Sequence, residues 1–482
     1  MNSTLHVLVQ IFSEPSILVA LIALVGLLLQ RKPGADIMKG TVKTFVGFLV
    51  LSAGAAVVVA ALDPFGDMFS EVFGVQGIVP NNEAIVGPVL QEYGTAAALI
   101  FFFGMVVNVI LARITRFKYI YLSGHVALYQ SAMIAVILIV AGFSTWEAIL
   151  WGSIAEAIIT TVSPAVVQPF MRQVTGKDNV ALGHTGGFGI ALSGLVARLT
   201  KGDPENSTEK LKVPKSLGFV RDSTVVVALS MGIIFIVVAL FAGPSYVQDN
   251  ISDGQNYILW AVMSAGQFAA GVFIILAGVR VILAEIVPAF KGISEKLVPD
   301  AKPALDVPIT FTFAPNAVMV GFLSSLVAGL IGMGVLGMLG TAVIIPGIVA
   351  HFMTGGASGV IGNAVGGRRG AVLGAFANGI LITLVPLLLL PLLGDIGNAN
   401  ATFGDSDYGV IGLYLGWLGI GGKAFIIVGI LVALLALFGT SFGIGRAAKK
   451  REARDHAAEG SATSDSSETR SSNIADSSDS AS

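Results

Sequence analysis

No cysteine occurs among the 482 residues of this chain, which removes disulfides, thiolate metal ligands and any phosphocysteine from its chemistry. Charge is also scarce. Asp, Glu, Lys and Arg supply 12% of the residues, against about 25% in a soluble domain. A net charge of −2 gives no reason to expect a nucleic-acid partner. Residues 1–15 lack a basic n-region and a small-residue cleavage site, so the first apolar run is expected to remain as a helix. No Walker-type phosphate loop, metal-ligand spacing or nucleophile–base motif occurs either. The expectation is a protein with no cofactor, no metal and no catalytic side chain of its own.

What the chain has instead is apolar length. Hydrophobic residues make up 54% and the mean hydropathy is +0.84. Runs long enough to approach the roughly 30 Å of a bilayer core fall near 16–30, 42–62, 94–113, 124–143, 147–169, 222–243, 258–287, 316–338, 340–353, 370–394 and 422–445. An all-α polytopic membrane protein of about eleven spans is expected. Lys and Arg cluster at 31–43, 113–118, 172–221, 280–302, 368–369 and 446–454, whereas 63–92, 144–146, 244–257 and 395–421 contain none. The alternation predicts basic loops on the cytoplasmic side, with the N-terminus outside and the C-terminus inside.

Residues 47–82 match residues 271–306 at a fixed offset of 224, through Gly47/Gly271, Ala53/Ala277, Gly54/Gly278, Val57/Val281, Ala60/Ala284, Pro64/Pro288, Ser70/Ser294 and Glu71/Glu295. The two copies cross the membrane in opposite senses in this topology, so the repeats are inverted. A substrate site between inverted halves is how many transporters are built. The competing reading is chance recurrence of Gly and Ala in close-packed helices. The same register lays Asn82 over Asp306.

Three apolar stretches, 78–90, 182–197 and 355–367, carry Gly, Pro, Asn and His and make poor simple spans. They are expected to be broken or re-entrant segments, since irregular backbone at membrane depth needs protein or a wet cavity around it; ordinary loops are the alternative. Two of them share Thr-Gly-Gly, at 185–187 and 354–356. Polar side chains in such surroundings are costly and mark substrate paths. His125 and Tyr129 are four apart and share a helix face, with Gln130 beside it; His184 and Thr185 sit in the second broken stretch. Asn82 and Glu83 follow Pro80, and Asp306 precedes Pro308. Carboxylates there suit the hydroxyls of a sugar, while a solvated loop for Glu83 and a helix cap for Asp306 are the competing roles. Glu156 and Glu285 also interrupt spans, and an ion pair with Arg280 accounts for Glu285.

Together these features give the chain a resemblance to a known family. Gly-Thr-Val-Lys-Thr (40–44), Tyr-Leu-Ser-Gly-His (121–125), Ala-Leu-Gly-His (181–184), Ala-Glu-Ile-Val-Pro-Ala-Phe-Lys-Gly-Ile-Ser (284–294) and Phe-Ala-Pro-Asn-Ala-Val (313–318) are arranged as in the ascorbate-type EIIC permeases of the bacterial phosphoenolpyruvate-dependent sugar phosphotransferase system. The resemblance covers roughly residues 5–450. It implies a homodimer in the cytoplasmic membrane, each subunit having two inverted five-helix repeats (about 1–215 and 216–400) and one extra helix (about 422–445). A substrate-carrying core would move against a dimerising scaffold. It further implies import of ascorbate or a related sugar, which a separate EIIB protein phosphorylates inside from a phosphocysteine. Of the family's ligands, His125, His184 and Asp306 match. Tyr129-Gln130 replaces a Gln-Gln pair, Thr185 a Gln, Glu83 a Tyr and Ala55 a Ser. An ionised Glu83 suits a neutral sugar or polyol better than the ascorbate anion. The alternative function is an H⁺-coupled secondary transporter of such a sugar on the same scaffold.

Residues 451–482 are rich in Ser, Asp, Glu and Ala and poor in apolar residues. They cannot bury enough surface to offset chain entropy, and a disordered cytoplasmic tail is expected.

Overall fold

The computed structural model describes residues 15–211, 223–398, 400–444 and 446, with α-helices dominating throughout. The residue 451–482 tail lies outside the described residues, as does the Glu285 side chain. In chain order the main helices are α1 (Pro15–Leu29), α2 (Gly34–Phe73), α3 (Asn82–Ile114), α4 (Gly124–Val140), α5 (Thr145–Thr175), α6 (Gly187–Leu199), α7 (Ser223–Asn250), α8 (Tyr257–Leu297), α9 (Pro315–Met338), α10 (Gly356–Leu389), α11 (Ser406–Ile420) and α12 (Lys423–Ile444). Among the described residues, eight helices are long and apolar enough to cross a bilayer. Ile233, Phe241, Met338, Ile420 and Leu435 are 64–81% exposed on the outer surface. Water would not tolerate that surface and lipid would.

Local chemistry sets the helix ends. Asn81 Oδ1 accepts the Ala84 N–H at 2.8 Å and starts α3. Ser144 and Glu147 form a reciprocal capping box at the start of α5. Gly74 and Gly176, both left-handed, close α2 and α5.

Helices α2 and α8 cross antiparallel where small residues let backbones approach. A Cβ on Gly54 would lie 2.9 Å from the Gly271 carbonyl oxygen, and one on Gly47 would lie 3.0 Å from that of Gly278. The self-match aligns Gly47 with Gly271 and Gly54 with Gly278, so each of the two α2 glycines meets the counterpart of the other. A pseudo-two-fold contact has this reciprocity.

The same exchange appears in two three-stranded parallel ribbons. Strand β1 (Gly77–Pro80) lies between β5 (Val343–Ile344) and β6 (Ala401–Thr402); β4 (Lys302–Leu305) lies between β2 (Tyr119–Tyr121) and β3 (Ala181–Leu182). Each central strand comes from one half of the chain and its two neighbours from the other. Backbone groups in these extended pieces are satisfied across the ribbons: Asn81 N donates to Thr402 O (3.0 Å), Ile345 N to Ile78 O (2.8 Å), Leu122 N to Ala304 O (3.0 Å) and Gly183 N to Leu305 O (2.7 Å). That pairing is what permits non-helical backbone inside a membrane protein.

Details differ from the sequence expectation. Residues 340–353 do not form a span: they contain β5, a helical turn at Ile348–Ala350 and a wide turn at His351–Gly355. Pro346 and Gly347 separate a β-branched strand from the helix. Helix α10 is broken at Gly366 and Gly367, the latter at φ 58°, so residues 356–365 fold back on those after 368 as a hairpin. Residues 78–90 and 182–197 are each a short strand leading into a helix. The connection 395–421 is not a simple outer loop, because it holds β6 and the buried face of α11.

Candidate functional site

A cavity of about 530 Å³ opens where the ribbon ends meet helices α7 and α8. One wall is polar and carries Asn82, Glu83, Ser123, His125, Tyr129, His184, Asp306 and Asp405. The opposite wall, from α7 and α8, is largely apolar (Val227, Ala269, Val272, Phe273 and Leu276), with Thr224 and Arg280 as its polar members.

The ribbons aim these groups. β1 delivers Asn82 and Glu83 onto the first turn of α3, and β2 delivers Ser123 and His125 onto the first turn of α4. β3 delivers His184 ahead of α6, β4 delivers Asp306, and β6 delivers Asp405 ahead of α11. Each functional side chain thus sits where an extended segment stops and a helix begins. Such positions point backbone N–H groups and positive helix ends into the site.

Asp306 is bracketed by the two histidines. His125 Nε2 lies 3.5 Å from Oδ2 and His184 Nε2 lies 3.8 Å from Oδ1, while Val307 N donates to Oδ1 at 2.7 Å. Both imidazole separations exceed a direct hydrogen bond, so lone pairs on this partly open carboxylate are available to ligand hydroxyls. Gly186 N donates to His184 Nδ1 at 2.9 Å. The acceptor role of Nδ1 assigns the neutral ring's proton to Nε2, on the side of Asp306. Tyr129 stands edge-on to His125, ring centroids 6.1 Å apart.

A second acid holds the opposite corner. Asp405 Oδ2 accepts from Asn82 Nδ2 (2.9 Å) and from Thr185 Oγ1 (2.6 Å), and Gly404 N donates to Asn82 Oδ1 (2.8 Å). Behind it, Asp407 accepts from Phe188 N (2.8 Å) and from Ser163 Oγ, while Ser406 Oγ accepts from Gly189 N (2.9 Å). The second half of the chain therefore caps a helix of the first. Among the described residues, three atoms in the polar wall have no protein partner: Glu83 Oε2, Ser123 Oγ and Tyr129 Oη. Buried polar atoms are seldom left so, and inside a cavity they are positions for ligand contacts.

Of the residues singled out in the sequence, Asn82, Glu83, His125, Tyr129, His184 and Asp306 line this one cavity. Thr185 is buried behind it and reaches it through Asp405. Gln130 is buried off the lining, its Nε2 without a partner among the described residues. Asp405, Ser123 and the apolar wall were not anticipated, and Arg280 lines the cavity. Asp405 carried one weak signal. Shifting by 220 instead of 224 lays 181–189 over 401–409 and Thr185 over Asp405, but only Ala181/Ala401 and Gly189/Gly409 coincide. Among the described residues no cluster of three or more metal-ligating side chains occurs.

A helical membrane protein with a polar pocket at the meeting of two interlocked halves belongs to the transporters. Residues 10–407 match the family model of the PTS system sugar-specific permease component, EIIC-GAT type, and the chain belongs to that family. It is also similar to a Mycoplasma pneumoniae protein described as the ascorbate-specific PTS system EIIC component, at 27% identity over 442 residues. That match takes in 80% of this chain and 66% of the relative, so the chain spans just under two thirds of the relative's length.

Proposed function

We propose that this chain binds ascorbate or a related sugar in the 530 Å³ cavity and carries it across the bacterial cytoplasmic membrane, where a separate EIIB protein phosphorylates it. The observation that carries the reading is the convergence of Asp306, His125 and His184, with Asn82, Glu83, Tyr129 and Asp405 around the same space. In this reading Asp306 accepts a pair of substrate hydroxyls, while the Nε2 groups of His125 and His184 donate to substrate oxygens. Tyr129 and Ser123 add hydroxyls that can donate or accept. Asn82 and Thr185 fix Asp405. Arg280 faces the acids from the apolar wall and offsets negative charge on an anionic substrate.

The division of the walls suggests how transport proceeds. The acids, histidines and other polar groups of the first wall ride with α3–α6 and α9–α11, whereas α7 and α8 present a largely apolar face. A body holding the substrate can slide along such a face with few polar contacts to exchange. In this reading α1, α2, α7 and α8 form the scaffold that also dimerises, and inverted repeats let the carrier face either side. The basic loops lie in the cytoplasm, with the N-terminus outside. With no cysteine here, the phosphoryl donor acts from another chain, and the charge of about −1.5 to −2 added to the sugar prevents its return.

One observation favours a second reading. Glu83 is buried, lines the cavity and has an unpartnered oxygen, as a proton-coupling carboxyl would. A binding screen of ascorbate, pentoses, hexoses and polyols against purified protein tests the substrate class. His184→Ala and Asp306→Asn should each remove binding while the protein stays folded. Unaltered affinity in either variant refutes the assignment of this cavity.

A further inference from the structure

Where the last turn of α12 meets the end of α3, a cleft of 660 Å³ is lined by Arg113, Arg116, Lys118 and Arg446, with Ile114 and Phe442 at its rim. It shares no lining residue with the transport cavity. The local fold explains the concentration of charge. Lys118 Nζ donates to the α3 carbonyls of Ala112 (2.9 Å) and Arg113 (3.3 Å), which caps the negative end of that helix. Arg116 N donates to Ser441 Oγ at 2.8 Å and ties this corner to α12. The Arg446 guanidinium lies 4.6 Å above the Phe442 ring.

Among the described residues, no carboxylate forms an ion pair with Arg113, Arg116 or Arg446. Among the described residues, Asp300 is an acid whose charge acts on Lys118. Burial, and then Arg113 and Arg116, hold the Lys118 ammonium below its ordinary range. The apolar rim is the second observation. Ile114 is 61% and Phe442 64% exposed, on helices whose outer faces meet lipid. Guanidinium groups recognise phosphate oxygens bidentately, and basic pockets between membrane helices at headgroup level hold anionic lipids.

We propose that this cleft binds an anionic phospholipid, its headgroup phosphate held by Arg113, Arg116 and Arg446 and its acyl chains against Ile114, Phe438 and Phe442. A soluble acidic partner would leave that apolar rim unused. The chain's own residues 455–482, with six acids and one base, have the charge for the cleft but almost nothing apolar for its rim.

Native mass spectrometry of the full-length protein tests the proposal, with phosphatidylglycerol titrated against phosphatidylcholine. Phosphatidylglycerol should be retained with a preference of about tenfold or more. Arg113→Gln combined with Arg116→Gln and Arg446→Gln should bring the preference to parity, and Arg116→Gln alone should reduce it severalfold. As a measurement on the intact cationic set, Phe442→Trp fluorescence should be quenched by brominated phosphatidylglycerol at lower mole fraction than by brominated phosphatidylcholine. Equal retention of the two lipids overturns the proposal, as does an undiminished preference in the triple variant. Displacement of the lipid by millimolar inorganic phosphate, or by a 455–482 peptide, also overturns it.

Discussion

Asp405→Ala is the most informative single substitution, because Asp405 ties three segments of the proposed site together. Its Oδ2 takes hydrogen bonds from Asn82 Nδ2 (2.9 Å) and Thr185 Oγ1 (2.6 Å). Hydrogen bonds to a charged group are worth about 1.5–3 kcal/mol each. Two on one oxygen are not fully additive, so about 3 kcal/mol is a fair combined figure. Asn82 and Asp405 both line the cavity, so Asn82, freed by the substitution, can be hydrated and the fold should survive. The loss then falls mainly on the geometry that holds substrate. At 1.4 kcal/mol per decade, affinity should drop by about a hundredfold. Asp405→Asn keeps an acceptor in place and exchanges charge-assisted bonds for neutral ones, so its loss should be about tenfold or less. Calorimetric titration of purified protein with the best substrate from the screen reads both values. The Asn82→Ala and Asp405→Ala effects should be strongly non-additive in a double-mutant cycle. Wild-type affinity in Asp405→Ala, or full additivity with Asn82→Ala, would refute the reasoning.

Other consequences can be checked with the same protein. Gly54→Ala should lower the thermal midpoint in detergent, at a cost of about 1–3 kcal/mol, because the new Cβ would lie 2.7 Å from the Ile275 amide nitrogen; Gly278→Ala, whose Cβ would lie 2.5 Å from the Leu51 amide nitrogen, should behave alike if the crossing is a pseudo-two-fold. Asp178 binds Arg172 Nε (2.9 Å), Lys302 Nζ (2.6 Å) and Gln168 Nε2 (2.8 Å). Burial raises its carboxyl, but those partners outweigh it and hold the group below the usual 3.8. Its stabilisation is therefore complete above the unfolded value and lost as pH falls through the folded one, so the wild-type advantage over Asp178→Ala in thermal shift should vanish in acid. That advantage should be modest, since a largely exposed pair contributes about 1 kcal/mol or less. Lacking native cysteine, the chain also permits clean topology mapping. A thiol at Gln255 should react with an impermeant maleimide from outside, and one at Glu205 only after permeabilisation; the reverse pattern would invert the orientation.

The membrane class was legible in the sequence, because apolar length is a local property. Asp306 and the histidines that line the cavity also stood out, because ionisable groups are conspicuous in apolar surroundings. The ribbons were not legible. Strands of two to four residues are too short for a period to register, and Val343–Ile344 in an apolar run reads equally well as helix. Asp405 was hidden for the same reason. Its motif begins on a two-residue strand, the repeat there has drifted from 224 to 220, and Asp405 lies in a stretch that resembles an outer loop. Gly366 and Gly367 could have been read as a turn, but only the φ of 58° at Gly367 distinguishes a hairpin from a flexible helix.

Uptake by inside-sealed vesicles, with and without the soluble phosphotransferase proteins, tests the central claim most directly. The labelled sugar should accumulate as its phosphate ester, require EIIB and a phosphoryl donor, persist in the presence of a protonophore, and be lost with His184→Ala. Accumulation of unmodified sugar that collapses with the protonophore and ignores the phosphorylation proteins would contradict the account and identify Glu83 as the coupling group to examine next.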